Sequence, residues 1–285
     1  MGGDCLNYGC VPSKALIAAG KRAQAMRTTK PFGITPTSPV VSPKAVNEHV
    51  MGVIARIAPN DSVERFTGLG VRVIQAAARF QDRSTVVAGD FRIKARRFVV
   101  ATGSTPAVPP IQGLDQVRYF TNETIFDNQA RLDHLIVIGA GPIGLELAQA
   151  HLRLGGRVTV LESMKALARE DPEISEPLIR RLREEGLVIA EGVKVEKAEP
   201  TEAGVRLTVS ADGETETIEG SHILVATGRT PSVDGLGLDA AGIRFDRRGI
   251  IVNRSQRTSN RRVYAVGDVA GGPQFTHVAS YQAGI

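Results

Sequence analysis

Residues 135–162 read LIVIGAGPIGLELAQAHLRLGGRVTVLE, and the fold is legible from them first. Leu135 to Ile138 is an apolar run short enough for a buried strand, and it stops at Gly139-Ala140-Gly141-Pro142-Ile143-Gly144. An apolar helix follows to about Leu154, where Gly155-Gly156 break it, and Val158 to Leu161 reads as a second strand closed by Glu162. A G-x-G-x-x-G loop between strand and helix, with an acidic residue ending the next strand, is the fingerprint of a dinucleotide site. Gly139 permits the tight turn, Gly141 lets the backbone approach a pyrophosphate, and Gly144 lets helix and strand pack closely. The helix N-terminus, with Pro142 and Ile143, faces the phosphates with its partial positive charge. Glu162 accepts hydrogen bonds from the adenosine ribose hydroxyls and repels a 2′-phosphate, which predicts NAD rather than NADP. A glycine turn without a ligand is the plain alternative, and the strand–loop–helix context weighs against it.

Beyond Glu162 the sequence predicts a helix over 173–184, short strands over 193–195, 205–209 and 216–218, and an apolar strand from His222. That strand ends in Ala226-Thr227-Gly228-Arg229-Thr230-Pro231. The first half of the chain rhymes with this. A Pro- and Thr-rich loop (31–43) precedes a helix over 44–57 that carries Val46, Val50, Val53, Ile54 and Ile57 on one stripe. Runs over 71–74, 78–80, 85–87 and 91–93 read as an antiparallel meander, and Phe98 to Ala101 as a strand that stops at Thr102-Gly103-Ser104-Thr105-Pro106. The repeat leads to the expectation that the first half opens with its own strand, glycine loop and helix, and that these are missing ahead of Met1. Near the other end, Tyr264 to Val266 reads as a strand closed by Gly267-Asp268. A carboxylate there is placed to bind a polyol, although Gly-Asp at a strand end is commonly only a turn.

The chain opens MGGDCLNYGCVPSK, and Cys5 and Cys10 are its only two cysteines. Two close thiols admit a chance pair, half a metal site or a redox couple. A metal site would need further Cys or His ligands at a partner spacing, and the five histidines (49, 134, 151, 222, 277) are scattered singly. A redox couple needs an electron source, which the glycine fingerprint supplies. Pro12 and Ser13 suit a helix start, which sets Cys10 just before a helix N-terminus, where the dipole favours a thiolate. Lys14 falls one helical turn beyond Cys10, and Glu146 is a candidate partner for it, with an exposed ion pair as the alternative reading.

Composition narrows the classes. At 285 residues and 42% hydrophobic the chain suits two medium domains. No run approaches the roughly 18 uninterrupted apolar residues of a membrane span. The start has neither the basic flank nor the apolar stretch of a signal peptide, so a cytoplasmic protein with catalytic cysteines is expected. The net charge of +5 is spread along the chain without aromatic interleaving, which argues for solvated surface and against nucleic acid.

These parts together resemble the class I pyridine nucleotide–disulfide oxidoreductases, the flavoproteins that include dihydrolipoamide dehydrogenase, glutathione reductase and mercuric reductase. The resemblance rests on GG-x-C-x-N-x-GC-x-PSK at Gly2 to Lys14, the two Ala-Thr-Gly turns, the fingerprint with its Glu146-Leu147-Ala148 helix, and Ala265-Val266-Gly267-Asp268, all in family order. Phe275-Thr276-His277-Val278-Ala279 is most similar to the mercuric-reductase-like branch. The resemblance implies an α/β fold of two Rossmann-like domains, each a parallel sheet with a β-meander. The expected segments are 1–127 (FAD-binding, without its first strand), 128–230 (NAD(P)-binding) and 231–285 (return to the FAD domain). It implies that NAD(P)H on the Gly139 loop reduces FAD, which in turn reduces a Cys5–Cys10 disulfide, Cys10 facing the flavin and Cys5 attacking a thiol, disulfide or metal-ion substrate. Lys14 and Glu146 would pair beside the flavin, and Asp268, after Gly267, would hold its ribityl chain. Gly3, Ala78, Thr102, Gly103 and Thr276 would line the flavin nucleotide, while Val195, Gly228 and Arg229 would flank the nicotinamide cofactor. The family is homodimeric through a C-terminal interface domain that carries a His–Glu pair. That domain is expected to be absent here, and Pro142 stands where many members carry a tyrosine. A non-catalytic fragment or dinucleotide-binding remnant is the alternative function. A thioredoxin-like module fits poorly, because that motif is C-x-x-C.

Overall fold

The computed structural model describes residues 3–285, so Gly2, which opens the cysteine motif, lies outside the described residues. In chain order, helices α1 (Gly3–Asn7), α2 (Cys10–Arg27), α3 (Pro43–Ile57) and α4 (Val63–Gly68) lead into strands β1 (Ala78–Asp82), β2 (Thr85–Ala88), β3 (Phe91–Lys94), β4 (Phe98–Val100), β5 (Ser104–Pro106) and β6 (Tyr119–Phe120). Then come β7 (His134–Ile138), α5 (Pro142–Arg153), β8 (Arg157–Glu162), α6 (Pro172–Glu184) and β9 (Val188–Glu191). Strands β10 (Lys194–Thr201), β11 (Gly204–Ala211), β12 (Glu214–Gly220), β13 (His222–Val225) and β14 (Arg229–Pro231) follow. The chain closes with β15 (Phe245–Asp246), β16 (Gly249–Ile250), β17 (Val263–Ala265) and α7 (Thr276–Ala283). Two compact units result, one of residues 1–61 with 106–228 and the other of 62–105 with 229–285. Compactness therefore groups the chain differently from the order of its motifs.

The first unit is built on a five-stranded parallel sheet in the order β6-β13-β7-β8-β9. A sheet covered on both faces needs strands that are apolar on both sides, and Leu135, Ile136 and Val137 are fully buried. Alternate side chains go to opposite layers. Leu135 and Val137, with Val158 and Val160, pack with Leu16, Val50, Leu147 and Leu182 from the helices. Ile136 and Ile138, with Leu161 and Ile223, pack with Val205, Leu207 and Val209 of the antiparallel sheet β10-β11-β12. The layers are helices, parallel sheet and meander. Helix α2 joins the helical layer by close approach at Gly20, where a Cβ would lie 3.1 Å from the carbonyl oxygen of Ala150. Arg153 at the end of α5 donates from Nε and Nη2 to both oxygens of the buried Glu185, at 2.9 and 2.8 Å. Burial alone would raise the Glu185 carboxyl, but Arg153, Gln149 and Arg181 together outweigh it and hold the group below the usual carboxylate range.

The second unit carries the meander β1-β2-β3 and a parallel pair β17-β4 around Phe80, Val100, Ile243, Ile250, Val263 and Val269. Phe80 and Phe98 meet edge to face, with ring centres 5.5 Å apart. The buried Asn260 ties three segments by donating from Nδ2 to the carbonyls of Arg83 and Ala241, both at 2.9 Å, while its own Oδ1 accepts from Arg262 N.

Four local expectations change. The run 71–74 is not a strand and stands outside the meander, which has three strands. Val71 is exposed, and a β-branched run becomes a strand only where a neighbour takes up its backbone groups. Helix α2 begins at Cys10, ahead of Pro12, because a proline in the first turn forfeits no intrahelical bond. Helices α1 and α4 are too short to show a periodicity. Strand β9 also went unread: Val188-Ile189-Ala190-Glu191 is a strand only because it pairs with β8, Val160 opposite Ile189.

Three histidines are held neutral by this packing. Arg157 donates from Nη2 to His134 Nδ1 at 2.8 Å, so the proton sits on Nε2, which faces Thr159 Oγ1 at 2.9 Å. Burial, with Arg157 beside it, lowers the His134 pKa; burial also lowers that of His222 and pushes His151 down to about 4. The unfolded chain takes up a proton at each near the ordinary value of 6.5, whereas the fold resists. Unfolding therefore binds protons, and stability is expected to fall as pH drops from about 6.5 toward 4. Urea unfolding at pH 7.5, 6 and 5 checks this. His151→Leu is expected to flatten the profile, and a stability that rises on acidification would contradict the assignment.

Candidate nucleotide-binding and redox site

The carboxyl ends of β13, β7 and β8 carry the first cluster. Gly139 has φ +107°, and a Cβ on it would lie 2.5 Å from the carbonyl oxygen of Ala226. A Cβ on Gly144 would lie 2.1 Å from the carbonyl oxygen of Gly139, so α5 can start against the loop only without one. Gly141 is different. As N-cap of α5 it has φ −76°, which any residue adopts, and nothing lies within 4 Å of where its Cβ would stand. Two of the three glycines are thus demanded by the fold, and the third leaves the loop surface open to a ligand's backbone approach. Pro142 is the first helical residue, where its missing N–H forfeits no bond, and Ile143 is exposed beside it.

Glu162 ends β8 with its Oε2 accepting from Ala140 N at 2.8 Å and its Oε1 from Met164 N at 2.9 Å. The loop amides thus orient the carboxylate, and Oε2 keeps a lone pair for a further donor. Arg157 sits at the opposite end of β8 on His134 and so does not offset the Glu162 charge. Lys165 lines a broad open cavity of about 870 Å³ between residues 164–168 and α6, where Arg183 is engaged by Glu191 at 2.7 Å. The second Ala-Thr-Gly turn lies against the loop. Ala226 N donates to Ile138 O at 2.8 Å, Thr227 Oγ1 to Ala107 O at 2.7 Å, and Gly228 takes φ +133° with open space at its Cβ position. Val195 sits apart on β10, paired with Val209, next to a bulge. The residues present fit a dinucleotide: an open glycine loop, a helix N-terminus and an oriented carboxylate at one sheet edge.

Cys5 lies half-buried on α1, and Cys10, exposed, is the first residue of α2. Gly9 and Tyr8 donate their amides to Asp4 O at 2.7 and 2.8 Å, which shapes the turn between the two cysteines. Gly3 opens α1 at φ +59°. One turn beyond Cys10, Lys14 Nζ donates to Glu146 Oε2 at 2.7 Å, joining α2 to α5. Both side chains are exposed, at 61% and 44%. Such a pair contributes at most about 1 kcal/mol to stability. Sequence spacing alone could not join Lys14 to Glu146; the packing of α2 on α5 does.

In the second unit, Thr102 Oγ1 donates to Ser232 O at 2.9 Å, and Gly103 takes φ +70° with open space at its Cβ position. Gly267 takes φ +74° and donates its amide to Gln282 Oε1 at 2.7 Å. Asp268 follows in a 3-10 turn (Gly267–Ala270), its Oδ2 accepting from Ser104 Oγ at 2.6 Å. Arg229 is here too, buried, and donates to Ser104. An oriented, acceptor-only carboxylate beside the open Gly103 position fits a polyol chain. Ala78 is the exposed first residue of β1, and Thr276 the first residue of α7. Ser104 and Gln282 went unremarked in the sequence. The signal for Ser104 was that it is the position at which the two Ala-Thr-Gly turns differ.

A separate cavity of about 350 Å³ at the far end of α5 is lined by Leu16, Val50, Phe126 and His151 among others, and by none of the candidate site residues. Among the described residues no three His, Cys, Asp or Glu side chains cluster as a metal site, and no helix is long and apolar enough to cross a membrane.

Similar proteins bring this geometry into one class. The chain is 35% identical over 287 residues to a mercuric reductase of Lysinibacillus sphaericus, covering 100% of this chain and 53% of that protein. It is 34% identical over 295 residues to a dihydrolipoyl dehydrogenase of Geobacillus stearothermophilus, covering 99% of this chain and 61% of the relative. Among solved structures, the Cu(II) complex of the HOCl-induced flavoprotein disulfide reductase RclA from Escherichia coli superposes with a TM-score of 0.82 at 25% identity, over 98% of this chain and 60% of the other. The chain thus spans about half to three fifths of the length of these relatives. With the family described as pyridine nucleotide-disulphide oxidoreductase matching residues 1–283, the chain belongs to that family.

Proposed function

We propose that this chain provides the nicotinamide-nucleotide site and the redox dithiol of an FAD-dependent NAD(P)H:disulfide oxidoreductase. The observation that carries the reading is one sheet edge that presents the open Gly141 position, the α5 N-terminus and the oriented Glu162 together. The overall transfer balances: NAD(P)H and one proton deliver two electrons and two protons, and a disulfide becomes two thiols. FAD, when bound, supplies the relay between a hydride donor and a thiol pair. The residues of the chain bind and orient. The α5 N-terminus takes the pyrophosphate, Glu162 the adenosine ribose, and Asp268 the ribityl hydroxyls. The α2 N-terminus and the Lys14 charge, one turn away, favour Cys10 as a thiolate, and Cys5 exchanges with substrate. Glu146 holds the Lys14 ammonium in place. The names of the relatives point to mercuric ion as electron acceptor, or to a dihydrolipoyl dithiol as electron donor when the same transfer runs in reverse toward NAD+.

Gly141→Ala is expected to leave the unfolding temperature unchanged and weaken NADH binding at least about tenfold, because the added methyl meets only ligand. Gly144→Ala is expected to fail to fold. Calorimetric titration of Gly141→Ala that returns full affinity would remove the loop from the site.

NADH is expected to bind about tenfold or more tightly than NADPH, and Glu162→Ala to narrow the gap, since loss of one like charge relieves the 2′-phosphate. Equal affinities in the unaltered chain would refute the assignment.

With FAD added, NADH is expected to raise a thiol-dependent long-wavelength absorbance that Cys10→Ser lacks. A chain that takes up NADH but no FAD under the same conditions would instead be a dinucleotide-binding remnant.

A further inference from the structure

The two Ala-Thr-Gly turns are identical over six residues except at their fourth position, Ser104 in one and Arg229 in the other. Strands β5 and β14 pair, and the two differing residues become neighbours. Arg229 donates from Nε to Ser104 Oγ at 2.7 Å and from Nη2 to Ser104 O at 2.7 Å. Ser104 Oγ donates in turn to Asp268 Oδ2 at 2.6 Å. The direction of this chain is forced. A guanidinium has no acceptor, an ionised carboxylate has no donor, and the hydroxyl has one proton, so it must accept from Arg229 and give its proton to Asp268. The Arg229 side chain is 8% exposed and that of Asp268 21%, and Arg229 Nε lies 3.9 Å from Asp268 Oδ2, so opposite charge acts across the same contact. Gln282 holds the preceding residue by its backbone, through Gly267 N.

We infer that Ser104 and Arg229 are positioning residues that fix the rotamer of Asp268 and so aim its other oxygen at the ribityl hydroxyls. The inference rests on the reading that Asp268 binds the ribityl chain. Oδ2 of the carboxylate is held by Ser104, which fixes the plane of the group and leaves Oδ1 turned to the ligand side as the principal acceptor. Divergence of the repeat is the means: serine in both turns would leave the relay without its charged donor, and arginine in both would place two guanidinium groups together. Lysine would not serve at position 229, because it lacks the planar fork that reaches Oγ and the main-chain oxygen together.

The test is a double-mutant cycle on FAD affinity of the full chain, read by flavin fluorescence, with thermal unfolding of the flavin-free chain as control. Ser104→Ala is expected to weaken FAD about tenfold, and Ser104→Thr, which keeps the hydroxyl, to restore most of the affinity. Asp268→Asn weakens FAD at least as much, and adding Ser104→Ala to it is expected to cost nothing more, since the serine acts through the carboxylate. Should Ser104→Ala lower the unfolding temperature enough to confuse the reading, the comparison of Asp268→Asn with Asp268→Asn/Arg229→Gln carries the same cycle. Full affinity in Ser104→Ala, or losses that add in the double variant, would overturn the positioning role alone. Full affinity in Asp268→Asn, or no FAD binding by the unaltered chain, overturns the ribityl reading and this inference with it.

Discussion

A methyl group at position 144 would stand 2.1 Å from the carbonyl oxygen of Gly139, and one at 139 would stand 2.5 Å from that of Ala226. These two prohibited contacts govern the first unit. They let α5 begin against the end of β7 and let the turn after β13 close on the same loop. The carboxyl ends of three parallel strands thereby converge on one edge. Once they converge, Glu162 at the end of β8 meets the loop amide of Ala140, and the carboxylate is oriented by the backbone it serves. A single steric requirement thus becomes an electrostatic arrangement: helix N-terminus, carboxylate and open loop side by side.

The cysteine segment is built on a different logic. Its helix is held to the rest of the first unit by apolar packing of Ala15 and Leu16 and by the close approach at Gly20, all beyond the first turn that carries Cys10. The N-terminal turn can therefore carry an exposed thiol and an exposed ion pair without jeopardising the fold. Lys14 and Glu146 contribute little to stability at their exposure, and their 2.7 Å contact holds a positive charge one helical turn from the Cys10 position.

The internal repeat shows how one local motif is turned to two uses. Both Ala-Thr-Gly turns end an apolar strand, but Thr227 bonds Ala107 beside the glycine loop, whereas Thr102 bonds Ser232 in the second unit. The one position at which they differ then supplies the buried Arg229–Ser104–Asp268 relay. Burial of the guanidinium is tolerable because it donates to the Ser104 hydroxyl and main-chain oxygen with the Asp268 carboxylate close by, as a buried charge must be paired and hydrogen-bonded.

Much of this was legible in residue order. Strand β7, helix α5, strand β8, the steric need for glycine at 139 and 144 and the position of the acidic residue at 162 follow from local rules: apolar run lengths, helix breakers and the φ that only glycine tolerates. Those rules act within a few residues and need no partner. The elements that went astray are the ones whose existence depends on a partner. Val71 to Ile74 has strand-like composition and finds no place in the meander, while Val188 to Glu191 becomes a strand by pairing with β8. Lys14 meets Glu146, the partner the sequence offered for it, whereas the neutral tautomer of His134 and the chain from Arg229 through Ser104 to Asp268 join distant residues that no local pattern links. The sequence by itself determined the class of chemistry, because glycine spacing, a cysteine pair and strand-end carboxylates are local signals. Tertiary structure alone decided which backbone and hydroxyl groups hold each carboxylate, because a hydrogen bond of 2.6–2.8 Å is set by the packing of whole elements and not by the order of residues within one.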